Sequence, residues 1–365
     1  MEKRITQKPI LRQVSKKGNI KYVVSFLLVI LGYASFLFFQ GPIIIAFLIL
    51  AMLGILLIFN IPSKWVEDSF SKLSYRFRIS SAITGGFFLA IASSAPEFFT
   101  ATSGVVYYKI FSIGFDTIIW SAIFNLCVII GVGTFYKDPI LVRKSILYRD
   151  FPSMGIAIVL LLVLALDGVY STVDFIILIC TYFIYVWFLS LDRSRSYKPS
   201  KSAFSWRMTI IKLFFGIVLI ALLAHLMVAT GQETIDLFEH FYGYALPVGV
   251  LACTIYGPGT SIADLFMSLA AIRKGEQTAG VVNGISSNTF DLTICIGVPG
   301  LAYTFLTGKD ILINVYDSLL MILMLLLSYV LVFFVLRNGK VTIREGIFLL
   351  GYFLSCIVVY LVHIF

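Results

Sequence analysis

The sequence is short of charged residues, which make up 13% of its 365 residues. Soluble domains carry about 25% charged residues. In this chain 59% of the residues are hydrophobic and the mean hydropathy is +0.98. A chain this apolar lacks the polar surface that would keep it dissolved in water. The shortage of charge therefore excludes a soluble protein and predicts an integral membrane protein.

Histidine is scarce, and cysteine occurs without a pattern. The three histidines, His225, His240 and His363, are scattered, which disfavours a histidine metal site or a Ser-His-Asp triad. The net charge of +9 does not indicate nucleic-acid binding, because the basic residues sit in short loops between apolar runs. The cysteines lack metal or redox spacing and are interpreted as small packing residues; they are Cys127, Cys180, Cys253, Cys295 and Cys356.

Long apolar runs dominate the rest of the chain. A helix needs about 20 mainly apolar residues to cross a bilayer, and eleven runs qualify. They lie at 22–40, 42–60, 80–106, 113–136, 152–167, 172–190, 208–230, 245–272, 279–305, 311–336 and 345–365. Alternating ten-residue strands are absent, so the runs are predicted to be helices. The predicted fold class is an all-α polytopic membrane protein with about eleven transmembrane helices.

Lysine and arginine are unevenly distributed among the loops. With the N-terminus inside, all 28 basic residues except Lys109 and Lys309 fall on that side, as the positive-inside rule requires. We therefore predict a multi-pass protein of the cell membrane with its N-terminus cytoplasmic and its C-terminus outside. The predicted organisation is a basic cytoplasmic tail (1–21), an extra N-terminal span (22–40), a first half (41–190), a cytoplasmic linker (191–207) and a second half (208–365).

Three carboxylates lie deep inside the apolar runs. Glu97, Asp264 and Asp291 have no basic residue at their depth to pair with. A charge there costs several kcal/mol and marks a functional site by default. These side chains therefore need bound protons or bound cations.

The neighbours of these acids are oxygen-bearing. Glu97 and Asp264 each follow two hydroxyl residues, three and four positions earlier, which is the spacing of one helix face. Nearby prolines and glycines can interrupt the helices and release backbone carbonyls. Carboxylate, hydroxyl and carbonyl oxygens suit Ca²⁺ and also Na⁺. The hydroxyl residues are Ser93, Ser94, Thr260 and Ser261.

The same arrangement occurs twice. Asn125 follows Glu97 by 28 residues and Asp291 follows Asp264 by 27, and each is preceded four positions earlier by a serine, Ser121 or Ser287. Five spans separate the copies, an odd number, so the copies are predicted to be inverted. Inverted repeats with interrupted helices and a midplane site are typical of secondary transporters. The prediction is a ten-helix core of two inverted five-helix repeats plus the extra N-terminal span.

These stretches resemble the α-repeats of the sodium/calcium exchangers, within the cation/calcium antiporter superfamily. The first repeat is carried by Ser93-Ser94-Ala95-Pro96-Glu97 and Trp120-Ser121-Ala122-Ile123-Phe124-Asn125, and the second by Gly259-Thr260-Ser261-Ile262-Ala263-Asp264 and Ser286-Ser287-Asn288-Thr289-Phe290-Asp291. Glu in one repeat and Asp in the other looks most like the potassium-dependent branch. The chain departs from the family pattern at Trp120, Ala263 and Ser286.

The resemblance implies a central Ca²⁺ site with flanking Na⁺ sites, worked by alternating access. By position, Glu97 and Asp264 are the main cation carboxylates, and Asp291 takes the position associated with K⁺ dependence. The first helix of each half, about 42–60 and 208–230, is the moving part. The remaining implied ligands are Ser93, Ser94, Thr260, Ser261, Ser121, Ser287 and Asn125.

We therefore predict a secondary antiporter and not an enzyme. It exchanges Ca²⁺ for Na⁺, with K⁺ as an open addition and no organic cofactor. Its partners are inorganic cations and the lipid bilayer, and no protein partner is indicated. A proton/cation antiporter of the same superfamily stays open, because carboxylates also carry protons. The ring of hydroxyls favours Na⁺, which needs several oxygens.

Two further alternatives have less support. A membrane protease built on Asp264 and Asp291 as a proton-sharing pair lacks a Gly-x-Gly-Asp run, and it leaves the acidic site of the other half unexplained. A non-transporting sensor with a vestigial site rests only on the Trp120 and Ala263 departures.

Overall fold

The computed structural model describes residues 22–35, 37, 39, 41–143, 148, 150–191 and 204–365. The predicted basic tail (1–21) lies outside the described residues, as does most of the predicted linker (191–207). The described chain is built of helices joined by loops and by four strands of two residues each.

The first half follows a short N-terminal helix, α1. The helices are α1 (Tyr22–Ser35), α2 (Ile43–Arg76), α3 (Thr84–Ser93), α4 (Ala95–Ser103), α5 (Ser112–Thr134), α6 (Phe151–Leu164) and α7 (Thr172–Leu191). A helical turn, Ser81–Ile83, leads into α3, and a π-helical turn, Gly104–Tyr108, extends α4. Strands β1 (Ile140–Leu141) and β2 (Val169–Tyr170) flank α6.

The second half repeats this order. Its helices are α8 (Trp206–Tyr242), α9 (Val248–Thr260), α10 (Ile262–Arg273), α11 (Gln277–Thr307), α12 (Val315–Leu336) and α13 (Ile343–Ile364). Strands β3 (Ile311–Leu312) and β4 (Lys340–Val341) flank α12. Each half thus has one long helix, one broken helix, a helix that contains a π-helical turn, and two further helices.

The membrane-protein prediction is confirmed, while the span count stays a prediction. Within the described residues, seven helices are long and apolar enough to cross a bilayer, or eight if the bent pair α9–α10 counts as one span. The remaining predicted runs contain the shorter apolar helices α1, α3 and α6. The sequence therefore identified helical segments in every described run.

The first helix of each half is longer than predicted. The expected spans were 42–60 and 208–230, whereas α2 has 34 residues and α8 has 37. Charged residues extend both helices, because Lys, Glu and Arg are good helix formers and apolarity alone does not mark a helix end. Lys64 and Glu233, which lie beyond the predicted spans, are therefore helical.

Strand pairing ties the two halves together at both ends of the helices. Strand β1 pairs antiparallel with β4, and β2 pairs antiparallel with β3. Strand β1 of the first half corresponds to β3 of the second half, and β2 corresponds to β4. The β1·β4 sheet is therefore equivalent to the β2·β3 sheet. Equivalent loops of the two halves thus lie at different ends, which fits inverted repeats.

The end that carries the β1·β4 sheet is called the basic end below. Here the Arg273 guanidinium stacks 3.9 Å from the centroid of the Tyr136 ring, and the Ile343 amide donates to Asp138. The other end carries the β2·β3 sheet and a cavity lined by Lys109 and Lys309, among others. By the lysine and arginine distribution, the basic end is the predicted cytoplasmic side.

The apolar core forms two clusters. The larger packs α5, α6 and α7 with α11, α12 and α13. The smaller joins α2 and α8 to faces of the broken helices, through residues such as Leu56, Met227 and Tyr256. Buried polar side chains gather between these clusters, on α3–α5 and α9–α11.

Candidate cation site

Each half contains a broken helix whose second segment begins with the site carboxylate. The break falls at Ser94 between α3 and α4, and at Ser261 between α9 and α10, where the axis bends by 40°. Glu97 and Asp264 lie in the first turn of α4 and α10. The partial positive charge at a helix N-terminus stabilises a carboxylate there, which helps these side chains to be buried.

The absence of a proline at Ala263 does not remove the second break. Pro96 stands near the start of α4, whereas Ala263 takes the equivalent place in α10. Pro258 lies in the segment before the break, which still forms at Ser261. The replacement of the usual proline by Ala263 thus leaves the helix break intact.

Glu97 is held by hydroxyls from both halves. Its side chain is fully buried, and Ser121 Oγ on α5 donates to Oε1 at 3.1 Å. The same Ser121 hydroxyl is 2.6 Å from Ser261 Oγ, and Thr260 lies beside the Glu97 carboxylate. Hydroxyl residues from opposite halves of the chain therefore meet at one carboxylate.

Asp264 has the equivalent surroundings. Ser93 and Ser287 lie beside its fully buried carboxylate, as Thr260 and Ser121 lie beside Glu97. Two amides add to this set: Asn283 Nδ2 donates to Oδ1 at 3.1 Å, and Asn125 Nδ2 approaches Oδ2 at 3.4 Å. The hydroxyl contacts of Asp264 are thus equivalent to those of Glu97, and Asn283 adds an amide contact to Asp264.

Asn125 and Asp291 each begin a π-helical turn, in α5 and α11 respectively. Such turns occur often at functional sites. Asn125 Nδ2 also donates to Asn288 Oδ1 at 3.0 Å, and the Cys295 thiol approaches Asp291 Oδ1 at 3.5 Å. The charge of Asp291 acts directly on Glu97, as does that of Asp264. Three carboxyl groups therefore share one buried region.

Four buried oxygen atoms of this region have no hydrogen-bond partner. They are Glu97 Oε2, Ser94 Oγ, Asn125 Oδ1 and Asp291 Oδ2. Buried polar atoms are almost always paired, so each exception needs an explanation such as an ion or a water. Ser94 lies beside the Asp291 carboxylate, so these two side chains can pair with each other, while Glu97 Oε2 and Asn125 Oδ1 stay available to accept a cation.

The structure brings all ten predicted site residues together in the buried interior. Each has at most 1% of its surface exposed. Within the described ranges, no three His, Cys, Asp or Glu side chains converge closely enough to hold a metal alone. Hydroxyl and amide groups lie beside the carboxylates as further candidate ligands. The ten are Ser93, Ser94, Glu97, Ser121, Asn125, Thr260, Ser261, Asp264, Ser287 and Asp291.

Sequence reasoning missed several polar neighbours of the site. Asn288 links Asn125 to the Ala122 carbonyl, and Asn283 links Asp264 to Ser268. The Cys295 prediction was incomplete, since this packing residue also contacts Asp291. Its position four residues after Asp291, on the same helix face, was the available signal.

Trp120 is accommodated without entering the cluster of oxygens. Its fully buried ring packs edge-on against Tyr360 of α13 at 5.3 Å between centroids. A Cβ added at Gly257 would lie 2.6 Å from the Trp120 Cβ and 2.9 Å from the Ser121 amide nitrogen. The bare backbone of Gly257 therefore makes room for Trp120 and lets α9 reach the Ser121 backbone.

The sequence model described as Sodium/calcium exchanger protein matches residues 43–191 and 208–362. The chain belongs to this family. Within the family, the chain is 35% identical to sodium/potassium/calcium exchanger 3 of Rattus norvegicus over 119 residues. That match covers 32% of the chain and 19% of the rat protein.

Two solved structures share the fold of this sodium/calcium exchanger family member. The H⁺/Ca²⁺ exchanger CAX has a TM-score of 0.66 at 12% identity, covering 95% of this chain and 92% of CAX. The sodium-calcium exchanger NCX_Mj has a TM-score of 0.61 at 20% identity, covering 85% of this chain and 98% of NCX_Mj. The fold and the family together identify a membrane exchanger of the cation/calcium type.

Proposed function

We propose that the protein is a secondary antiporter that exchanges Ca²⁺ for Na⁺ by alternating access. The observation that carries the proposal is the buried cluster around Glu97 and Asp264, one carboxylate from each half. Hydroxyl residues at equivalent positions of the two halves lie beside each of these carboxylates. Family membership and the likeness to NCX_Mj support Na⁺ as the coupling ion.

Ca²⁺ suits this cluster by charge and by ligand type. A divalent ion between Glu97 and Asp264 cancels both negative charges, and Ca²⁺ accepts six to eight oxygen ligands in flexible geometry. The free oxygens of Glu97 and Asn125 are available to it. The N-termini of α4 and α10 support the carboxylates when the ion is absent.

The coupling of the two ion fluxes follows from the free-energy cost of the conformational change when the carboxylates have no bound cation. Unpaired buried carboxylates pay a large desolvation penalty, so the conformational change is favourable only when Ca²⁺ or several Na⁺ are bound. We assign the movement to α2 and α8, which pack on each other where Gly216 approaches Pro62 and Val66. These two helices pack together in one apolar cluster that also contacts the broken helices, so we assign them to shift as one unit along that contact.

We assign Asp291 to a monovalent cation beside the Ca²⁺ position. The Ser94 hydroxyl lies beside its carboxylate, and its charge adds to that of Glu97. K⁺ is the candidate suggested by the rat sodium/potassium/calcium exchanger 3 to which the chain is similar.

The second candidate function is proton/cation exchange. The fold likeness to the H⁺/Ca²⁺ exchanger CAX favours it, and three buried carboxyls are suitable proton carriers. The surrounding hydroxyls favour Na⁺, because a proton needs only one titrating oxygen.

The test is ⁴⁵Ca²⁺ uptake into proteoliposomes under an outward Na⁺ gradient, compared with an outward-directed proton gradient and with no gradient. We expect uptake that requires Na⁺ and that is lost in Glu97→Gln. Uptake that follows only the pH gradient would replace Na⁺ by H⁺. No uptake under either gradient, from wild type shown to be folded by its thermal unfolding transition, would contradict both candidates.

A further inference from the structure

A fourth carboxylate, Glu67, lies near the central cluster on the side of the basic end. It occupies the part of α2 that extends beyond the predicted span, and its side chain is half-buried. The charges of Asp68, Lys64, Asp264 and Lys274 act on the Glu67 carboxyl, and α2, which carries Glu67, packs against α10, which carries Asp264. Among the described residues Glu67 forms no hydrogen bond and no ion pair within 4 Å, so its oxygens are free to bind a cation.

Polar side chains continue from Asp264 toward the basic end. Asn283 donates from one Nδ2 to both Asp264 Oδ1 at 3.1 Å and Ser268 Oγ at 3.3 Å. Ser268 is one helical turn after Asp264, about 6 Å along α10, and α10 ends near Lys274. The polar groups thus follow α10 from the central site toward Glu67.

A buried hydroxyl on α2 points to a ligand beside Glu67. Ser63 is four residues before Glu67 and therefore on the same helix face. Its side chain is 1% exposed, and its Oγ has no hydrogen-bond partner. An unpaired buried hydroxyl next to a carboxylate free of ion pairs is suited to a partly hydrated cation.

The equivalent position in the other half carries no charge. Both long helices are followed by a left-handed residue, Arg78 with φ 55° and Gly243 with φ 79°. Counting back from these residues pairs Glu67 with Gln232. Gln232 is half-buried like Glu67, and its Nε2 is also unpaired. The two ends of the molecule therefore differ in charge at one equivalent position.

We propose that Glu67, with Ser63, forms a staging site for Ca²⁺ between Asp264 and the basic end, and that the opposite end lacks such a site because Gln232 stands there. This inference rests on the proposed function, since it concerns the path to the same central site. Attraction to Glu67 raises the local Ca²⁺ concentration beside the contact between α2 and α10. Lys64 and Lys274 keep binding weak enough for the ion to move on.

The experiment measures ⁴⁵Ca²⁺/Ca²⁺ self-exchange without a Na⁺ or pH gradient, so its result does not depend on the coupling ion. Everted and right-side-out membrane vesicles from expressing cells expose the two ends separately, with the basic end outermost in everted vesicles by the predicted orientation. For Glu67→Gln we expect the half-saturating Ca²⁺ concentration to rise about threefold to tenfold in everted vesicles and to stay unchanged in right-side-out vesicles.

Three further variants sharpen the comparison. Asp68→Asn removes an exposed charge from the next residue of the same helix, and because solvent screens an exposed charge it should change both values by less than about twofold. Glu67→Asp keeps the charge and should retain most of the wild-type affinity. Gln232→Glu should lower the half-saturating concentration in right-side-out vesicles only, and it tests the idea even if Glu67→Gln fails to fold.

Each outcome decides between the two proposals. A side-specific effect of Glu67→Gln that Asp68→Asn does not reproduce supports the staging site. Equal effects at both ends, or no effect of either Glu67→Gln or Gln232→Glu, would overturn it while leaving the exchanger intact. Wild type that performs no self-exchange would overturn both the staging site and the proposed Ca²⁺ transport.

Discussion

The two halves of the molecule match in backbone and differ in charge. Both break a helix at a serine, start the next segment with an acid, and place a π-helical turn on the following helix. The acid is Glu97 in one half and Asp264 in the other, and the residue that opens the turn is Asn125 in one and Asp291 in the other.

This difference distinguishes the features that the fold requires from the features that determine ion selectivity. In the proposed antiporter, access from both sides requires two similar, oppositely oriented halves, which accounts for the duplicated breaks and hydroxyls. Binding of two different cations, as proposed, requires unlike sites, which accounts for the charge that is not duplicated. Asp291 adds its carboxylate in the second half alone, and Glu67 adds its carboxylate in the first half alone.

The strongest test of the shared part is to remove either central acid. Asp264→Asn should reduce Na⁺-driven ⁴⁵Ca²⁺ uptake by at least about 100-fold, as much as Glu97→Gln, because either change leaves a single charge to bind a divalent ion. A double variant that exchanges the acids, Glu97→Asp with Asp264→Glu, should retain measurable uptake. Survival of uptake in only one of the single variants would show that the acids are not equivalent.

Packing between the two halves should weaken when a Cβ is added at Gly257 of α9, which faces Trp120 of α5. Gly257→Ala puts a Cβ against the Trp120 Cβ and the Ser121 amide, and overpacking of this kind costs about 1–3 kcal/mol. The expected result is a lower midpoint of thermal unfolding in detergent. Gly351→Ala is the control, because no atom lies within 4 Å of the added Cβ, and it should be neutral or slightly stabilising. An equal midpoint for both variants would contradict the tight α9–α5 contact.

The smallest of these effects should come from making the second half resemble the first at Asp291. Asp291→Asn removes a charge beside Glu97, so the half-saturating concentration of the driving monovalent cation should rise about tenfold. The half-saturating Ca²⁺ concentration should change by less than about threefold. Uptake measured against Na⁺, with and without K⁺, gives both values and shows which monovalent ion is affected. A larger effect on Ca²⁺ than on the monovalent ions would move Asp291 into the Ca²⁺ site.

Much of the fold was predictable, because apolar runs and unpaired acids are strong signals in a membrane protein. Glu97, Asp264 and Asp291 stood out since burial of a lone charge is costly, and the spacing of their neighbours revealed the repeat. The helix ends were less predictable. The extension of α2 through Lys64 and Glu67 follows helix propensity and packing on α8 and α10, which hydropathy does not record.

The polar neighbours of the site could not be predicted from the sequence, because their contacts depend on how the helices pack. Asn283 reaches Asp264 only because α11 packs against α10, and the sequence contains no periodic signal for that contact. The tolerance of Trp120 depends in the same way on Gly257, which is 137 residues away in the chain. Pairings between helices of different halves are set by the fold, so a single sequence identifies the residues but not their contacts.

The most direct test of the account is a calorimetric titration of the purified protein with Ca²⁺, without Na⁺ and then with it. The central claim is that one Ca²⁺ is held jointly by the two halves. We predict one tightly bound Ca²⁺ per chain, displaced by Na⁺, and loss of that binding in both Glu97→Gln and Asp264→Asn. Tight binding that persists in either variant, or two tight Ca²⁺ per chain, would contradict a single site shared between the halves.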